Sequence, residues 1–259
     1  MLNRKMAPIS DKVWEEIDNR AREVLTSYLT ARRVVRVNGP MGLEFNAIGE
    51  GRLSEIKKAD SIHYSNYDVK PLTEVRVEFE LDRKELDDIV RGAKDPDLEP
   101  LEDALKKLAL FEEKAVYYGL EDIGIVGLDK VGKKAIPFGK DRESILNAIG
   151  KGLMELKEAY TNPPYVLVVG EEQFKDIILS DNGYPLEKKI AKLIGGEIIV
   201  SKAVNGAFLV PFNSEDLELT IGQDFAIGFV EANEEKIKLF AIESFTFRVL
   251  NPDIVVKFA

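Results

Sequence analysis

Val75-Arg76-Val77-Glu78-Phe79-Glu80-Leu81 alternates apolar and charged residues without a break. Successive side chains of a strand point to opposite faces, so this run predicts a strand with one face buried and the other in water. The stretch before it is different in kind. Between residues 46 and 74, Gly49, Gly51, Ser54, Lys57, Lys58, Asp60, Ser61 and Asn66 dominate, with few apolar anchors and no period. A weakly patterned stretch of that length inside a compact domain is either functional or docked on something else. Residues 46–81 are therefore expected to form a long arm built around a two-stranded hairpin. An isolated hairpin is marginal in water, so the arm is expected to pack on a neighbouring chain.

Toward the N-terminus, Ser10 is a candidate N-cap, with Asp11, Glu15 and Glu16 at the positive end of the helix dipole. Val13, Trp14, Ile17, Ala21, Val24, Leu25, Tyr28 and Leu29 then recur at helical spacing, predicting an amphipathic helix to about Ala31. This helix opens the chain instead of following a core-forming strand, so its stripe needs a surface to lie on. Val34–Val37 reads as a short strand ended by the turn signal Gly39-Pro40. On the other side, helices are expected over Lys84–Arg91 and from Leu98 or Pro100 to Tyr118. A mixed segment follows, with helices at 141–159, 171–179 and 185–194. Its strands are Tyr165–Val169 and two shorter ones near 197–200 and 206–211. Residues 217–258 read almost wholly as strand, with turns at Asn233-Glu234 and Asn251-Pro252. The class is α+β, without the regular alternation of a doubly wound fold.

Composition narrows the function. The 259 residues are 45% hydrophobic and 32% charged, enough for a sizeable core and against disorder. With 36 Lys and Arg against 46 Asp and Glu, the net charge is −10, so no global basic field invites a nucleic-acid backbone. The absence of cysteine excludes disulfides, thiolate metal sites and Cys nucleophiles. The single histidine, His63, excludes a poly-His metal centre and lies in the polar arm beside Tyr64. No apolar run reaches membrane-spanning length. MLNRKMAPIS lacks the apolar core of a signal peptide, so the cytoplasm is the expected location.

Motif candidates fall to plainer explanations. Gly49-Glu50-Gly51-Arg52-Leu53-Ser54 lacks the strand and helix that a phosphate loop needs. Tyr165–Val169 followed by Gly170-Glu171-Glu172 has strand–turn–helix order, but two carboxylates would repel a pyrophosphate there. Arg32, Arg33 and Arg36 form the densest basic cluster, either complementing the end of the first helix or contacting an anion or peptide. Asp95, Asp97, Glu99, Glu102 and Asp103 read as solubility and capping. No catalytic residues, metal ligands or cofactor emerge, and the expectation is a non-enzyme.

A series of short pieces resembles one family throughout the chain. Trp14-Glu15-Glu16-Ile17-Asp18-Asn19-Arg20-Ala21-Arg22-Glu23 is similar to the opening helix of the encapsulins, shell proteins of bacterial and archaeal nanocompartments. The likeness continues at Leu86-Asp87-Asp88, Arg91-Gly92, Leu101-Glu102, Phe111-Glu112, Gly124 and Gly127-Leu128. It resumes at Tyr184-Pro185-Leu186-Glu187-Lys188, Gly195-Gly196, Gly222-Gln223-Asp224, Ile227-Gly228, Glu243-Ser244-Phe245-Thr246-Phe247 and Asn251-Pro252.

The resemblance implies the Hong Kong 97 phage-like major capsid fold. Residues 1–45 would hold the N-terminal helix and the start of the peripheral domain, 46–81 the extended loop and its base, and 82–132 the peripheral domain with its spine helix. Residues 133–221 would form the axial domain and 222–259 the returning peripheral strands. The implied assembly is an icosahedral cage of about sixty copies enclosing a cargo enzyme. A ferritin-like iron oxidase, hence iron storage, or a dye-decolourising peroxidase is the implied cargo, held by its C-terminal targeting peptide. The family's peptide groove maps onto Leu25, Leu29, Arg32 and Ile227, and helical spacing adds Val24 and Tyr28. The five-fold pore maps onto Ser180, Asp181, Asn182, Gly183 and Tyr184, where Asp181 repeated by symmetry would favour cations such as ferrous iron. Arg36 stands where the family's groove has an acidic residue, and Lys84 stands where a flavin-binding relative has tryptophan, so no flavin is expected. Two rivals remain: a viral or prophage capsid protein packaging DNA, and the bacteriocin or protease labels attached to some relatives. The charge of −10 disfavours the first and the lack of a Ser-His-Asp set the second.

Overall fold

The computed structural model describes residues 2–180 and 183–259. The first elements are α1 (Asp11–Tyr28), β1 (Arg36–Asn38), β2 (Ala47–Leu53), β3 (Lys57–Ala59), β4 (Ile62–Tyr64), β5 (Tyr67–Pro71) and β6 (Thr73–Asp82). Helices α2 (Arg83–Arg91), α3 (Glu99–Tyr118) and α4 (Arg142–Glu158) follow, then β7 (Tyr165–Val169), α5 (Glu171–Leu179), α6 (Leu186–Ile194) and β8 (Ile198–Val200). The chain ends with β9 (Ala207–Pro211), β10 (Leu217–Ile221), β11 (Ala226–Ala232), β12 (Lys236–Val249) and β13 (Val256–Phe258).

The alternating run sits in β6, which pairs antiparallel with β12 from Thr73 opposite Phe245 to Asp82 opposite Lys236. Val75, Val77, Phe79 and Leu81 turn toward the core, and Arg76, Glu78 and Glu80 are exposed. A strand with one apolar face needs a sheet to bury it, and the body of the protein supplies one. β6 is therefore part of a five-stranded sheet, β1-β10-β12-β11 with β6 also on β12, and not a strand of the arm's own ladders. The arm is built instead from two ladders, β2 with β5 and β3 with β4, spanning Ala47–Pro71. Leu53, Ile56, Ile62, Tyr64, Tyr67 and Val69 on it are each more than half exposed.

The second sheet runs β13-β9-β7-β8. All five residues of β7 are buried, which explains its unbroken apolar run. Gly170 at its end is a packing residue: a Cβ there would meet the Val204 carbonyl at 2.4 Å.

Two apolar cores result, and α3 belongs to both. Its Leu101, Leu105 and Leu108 join Val13, Trp14, Ile17, Ala21 and Val24 of α1 with Leu86 and Ile89 of α2. Its Ala115, Val116 and Tyr117 join the second sheet, α4 and α6. Each large side chain so buried contributes about 1.5–3 kcal/mol, enough to hold α1 against α3.

Helix α1 stops at Tyr28, three residues before the sequence-based limit. A continued helix would bond the Ala31 N–H to a backbone carbonyl one turn back; here it donates to Glu113 Oε1 at 2.7 Å. Thr30 donates to the other oxygen of Glu113. The strand expected at Val34–Val37 begins at Arg36, because Val34 and Val35 are drawn into the core. Among the described residues, no helix is long and apolar enough to cross a membrane.

Candidate functional site

Along α1 and its C-cap, Ala21, Leu25 and Leu29 follow at four-residue steps, a row whose ends are buried and whose middle residue, Leu25, is half-buried. Its far end faces the start of β11 across a depression of about 560 Å3, lined by Leu25, Leu29, Arg32, Leu105, Phe225 and Ile227 among others. The structure thus brings four sequence-predicted residues together: Leu25, Leu29, Arg32 and Ile227. Val24 and Tyr28 do not line the groove, which corrects the expectation from helical spacing. Val24 lies three residues after Ala21 and seven after Ile17, on the inward stripe, and is buried in the core with them. Tyr28 falls on the other flank, where the Lys202 ammonium sits 4.2 Å from its ring centre.

One end of the groove is closed by the N-terminal segment. Phe229 N–H donates to the Leu2 carbonyl at 2.8 Å. Gly228 admits this approach, because a Cβ there would lie 2.8 Å from that carbonyl and closer still to the Phe240 ring. Arg4 donates to both oxygens of Asp18 at 2.8 Å and lies 4.0 Å over the Trp14 ring. A larger depression beyond Arg4, about 780 Å3, has mostly charged walls, including Lys5, Asp11, Glu15 and Asp18.

The other end is held by Arg32, whose role sequence reasoning did not foresee. Its guanidinium donates to Glu112 at 2.9 and 2.6 Å, to Asp224 at 2.8 Å, and to Glu243. Glu112 and Glu243 are fully buried. Burial by itself would lower the Arg32 pKa, but the bond to Glu112 and the charges of Glu112 and Glu243 raise it instead. Burial, reinforced by the neighbouring Glu112 charge, pushes Glu243 well above the ordinary carboxylate range. Arg32, in the turn Ala31–Arg33 that follows α1, is therefore a structural cation that ties this turn to α3 and β12 at the groove's edge. The available signal was Glu243, a lone acid within the apolar strand Leu239–Phe247.

The other arginines of the cluster are also engaged: Arg33 with Glu197 at 3.2 Å and Arg36 with Glu215 at 2.6 Å. Arg36 lies on β1 and does not line the groove, so the sign reversal noted there does not reach it.

Beside this network, Glu113 accepts from Thr30, from the Ala31 N–H and from Ser201 Oγ at 3.2 Å. Burial outweighs these bonds and raises its pKa to about 7. The folded state thus favours protonated Glu113. Its contribution is fully present below pH 4.5 and is lost as pH rises to about 7. The expected size is about 3 kcal/mol across that window. Glu113→Gln should flatten the pH dependence of the thermal midpoint between pH 5 and about 7.5, read by far-UV dichroism. An unchanged slope would exclude Glu113 as its source.

Of the loop mapped to a pore, Asp181 and Asn182 lie outside the described residues. Ser180 donates to the Lys140 carbonyl at 3.2 Å, and the Tyr184 carbonyl accepts from Arg142 at 2.9 Å. Gly183 and Tyr184 are exposed. His63 lies exposed on β4 opposite Lys58. Among the described residues, no group of three His, Asp or Glu side chains could hold a metal ion.

Residues 1–246 match the family model Linocin_M18, described as an encapsulating protein for peroxidase. The type 1 encapsulin shell protein of Rhodospirillum rubrum is 35% identical over 98% of this chain and 95% of its own. Those of Rhodococcus erythropolis and Mycobacterium tuberculosis are 34% and 32% identical, covering 100% and 95% of this chain and 99% and 94% of theirs. Among solved structures, the virus-like particle from Pyrococcus furiosus aligns with a TM-score of 0.70 at 16% identity, over 95% of this chain and 98% of that one. The capsid protein of Myoviridae phage XM1 aligns at 0.59 and 12% identity, over 89% and 91%. At these identities the likeness is one of fold, and it is the phage capsid fold implied by the sequence.

Proposed function

The chain belongs to the type 1 encapsulin shell protein family, and from that premise we propose that it closes into an icosahedral compartment of about sixty copies, by subunit contacts that close a point group. The compartment captures a cargo enzyme by a C-terminal peptide and stays in the cytoplasm; the shell itself catalyses nothing. In this arrangement residues 46–81 are the extended loop and its base, reaching to a neighbouring copy. Residues 1–45, 82–132 and 222–259 make the peripheral domain, with α3 as its spine. Residues 133–221 make the axial domain, whose 180–184 loop lines the pore. The family description favours a peroxidase as cargo, and a ferritin-like iron oxidase is the second class.

The observation that carries cargo capture is the apolar groove between α1 and β11, with Leu25, Leu29 and Ile227 in its walls. Two or three aliphatic anchors in such a groove supply only a few kcal/mol before ordering costs. Many identical sites facing one enclosed space make retention of an oligomeric cargo effective. Leu25→Asp, at a half-buried position, should leave the particle's elution unchanged and cut co-purifying cargo about tenfold or more, read by quantitative mass spectrometry of the particle fraction. Undiminished cargo would move the capture site elsewhere.

A further inference from the structure

The groove has a charge pattern as well as an apolar wall. Arg4, Arg22, Arg32 and Arg33 border it, against only Asp18 and Asp224. Arg4 is matched by Asp18, and Arg32 by Asp224 with Glu112 and Glu243 behind it. Arg33 reaches Glu197 at 3.2 Å with both side chains more than half exposed, a pair of little strength. Arg22 has no carboxylate partner among the described residues; it donates only to Asn19 Oδ1 at 3.2 Å. On α1 it stands three residues before Leu25 and seven before the C-cap Leu29, about one turn to the N-terminal side of Leu25.

We infer that the groove reads a carboxylate as well as aliphatic side chains: its occupant is an extended segment of another protein with an Asp or Glu adjacent to its aliphatic anchors, paired with Arg22. The inference rests on the groove being the capture site. The protein's net charge of −10 sharpens it. The field of the whole chain favours a basic segment over an acidic one. A preference for acid therefore has to come from local arginines, and Arg22 is the one without an acidic partner.

The test uses the full chain co-expressed with a monomeric fluorescent protein bearing one of three C-terminal Gly/Ser tails of about twelve residues. The first carries three leucines next to an aspartate pair, the second the same leucines next to a lysine pair, and the third the aspartates with serines for leucines. Fluorescence per shell chain should be about threefold to fivefold higher for the first tail than the second. Arg22→Gln should bring that ratio to about one, and Arg22→Lys should keep part of it. Equal loading of the first two tails, a preference for lysine, or a preference that survives Arg22→Gln overturns the inference and leaves the groove intact. Leucine tails loading no better than the serine tail overturns the groove and this inference together.

Discussion

Replacing Arg32 with methionine should destabilise the protein by about 3–5 kcal/mol, the range for removing one partner of a buried ion network. The thermal midpoint should fall by about 10 °C. Glu112 and Glu243 are fully buried, and their shared cation is this one guanidinium. Without it, burial, which already raises the Glu243 pKa, disfavours its charged form further, so the deficit should be larger at pH 8 than at pH 5, where protons are easily supplied. Arg32→Lys should fall between, because an ammonium cannot span Glu112, Asp224 and Glu243 with a planar fork. Combining Arg32→Met with Glu112→Leu and Glu243→Met should recover most of the loss, since no charge is then left stranded. Scanning calorimetry at both pH values reads all four proteins. A single Arg32→Met variant that melts like the parent would show that the network does not hold the turn after α1 to α3 and β12.

The second large effect is expected on the arm and concerns assembly. Ile62 and Tyr64 share one face of β4 and are more than half exposed on their own chain. Replacing both with aspartate should leave the subunit's dichroism spectrum unchanged, because neither belongs to either buried core. Each loses about 1.5–3 kcal/mol of burial against a neighbour and gains a charge that resists it. Repeated at every contact of a closed shell, that loss should move nearly all chains from closed particles to small oligomers, read by size-exclusion chromatography. Normal yields of closed particles would mean that the arm's apolar face is not covered in the assembly.

Much of this was legible in the sequence where one periodicity dominates. The alternation at Val75–Leu81 gave a strand with the correct inward set, and the 3.6-residue stripe of α1 gave its buried face. The limits of those elements were set by partners distant in sequence. Glu113 takes the Ala31 N–H 82 residues away and ends α1 early. Leu25 and Leu29 came from the family resemblance, and the helical spacing that added Val24 and Tyr28 could not separate the flanks of the stripe. Val24 therefore lies in the core and Tyr28 under Lys202. The arm's double ladder was hidden because exposed strands rich in Lys, Ser and Gly carry little alternation. The Arg32 network was hidden for another reason: its acids come from α3, β12 and the turn before β11, and only the fold brings them together.

The most direct test of the shell assignment is light scattering coupled to size exclusion, with negative-stain imaging of the leading peak. The expected result is closed, uniform particles with a mass of about sixty times the 29.1 kDa chain. A monomer or small oligomer at micromolar concentration, with no closed particles on the grid, would contradict it.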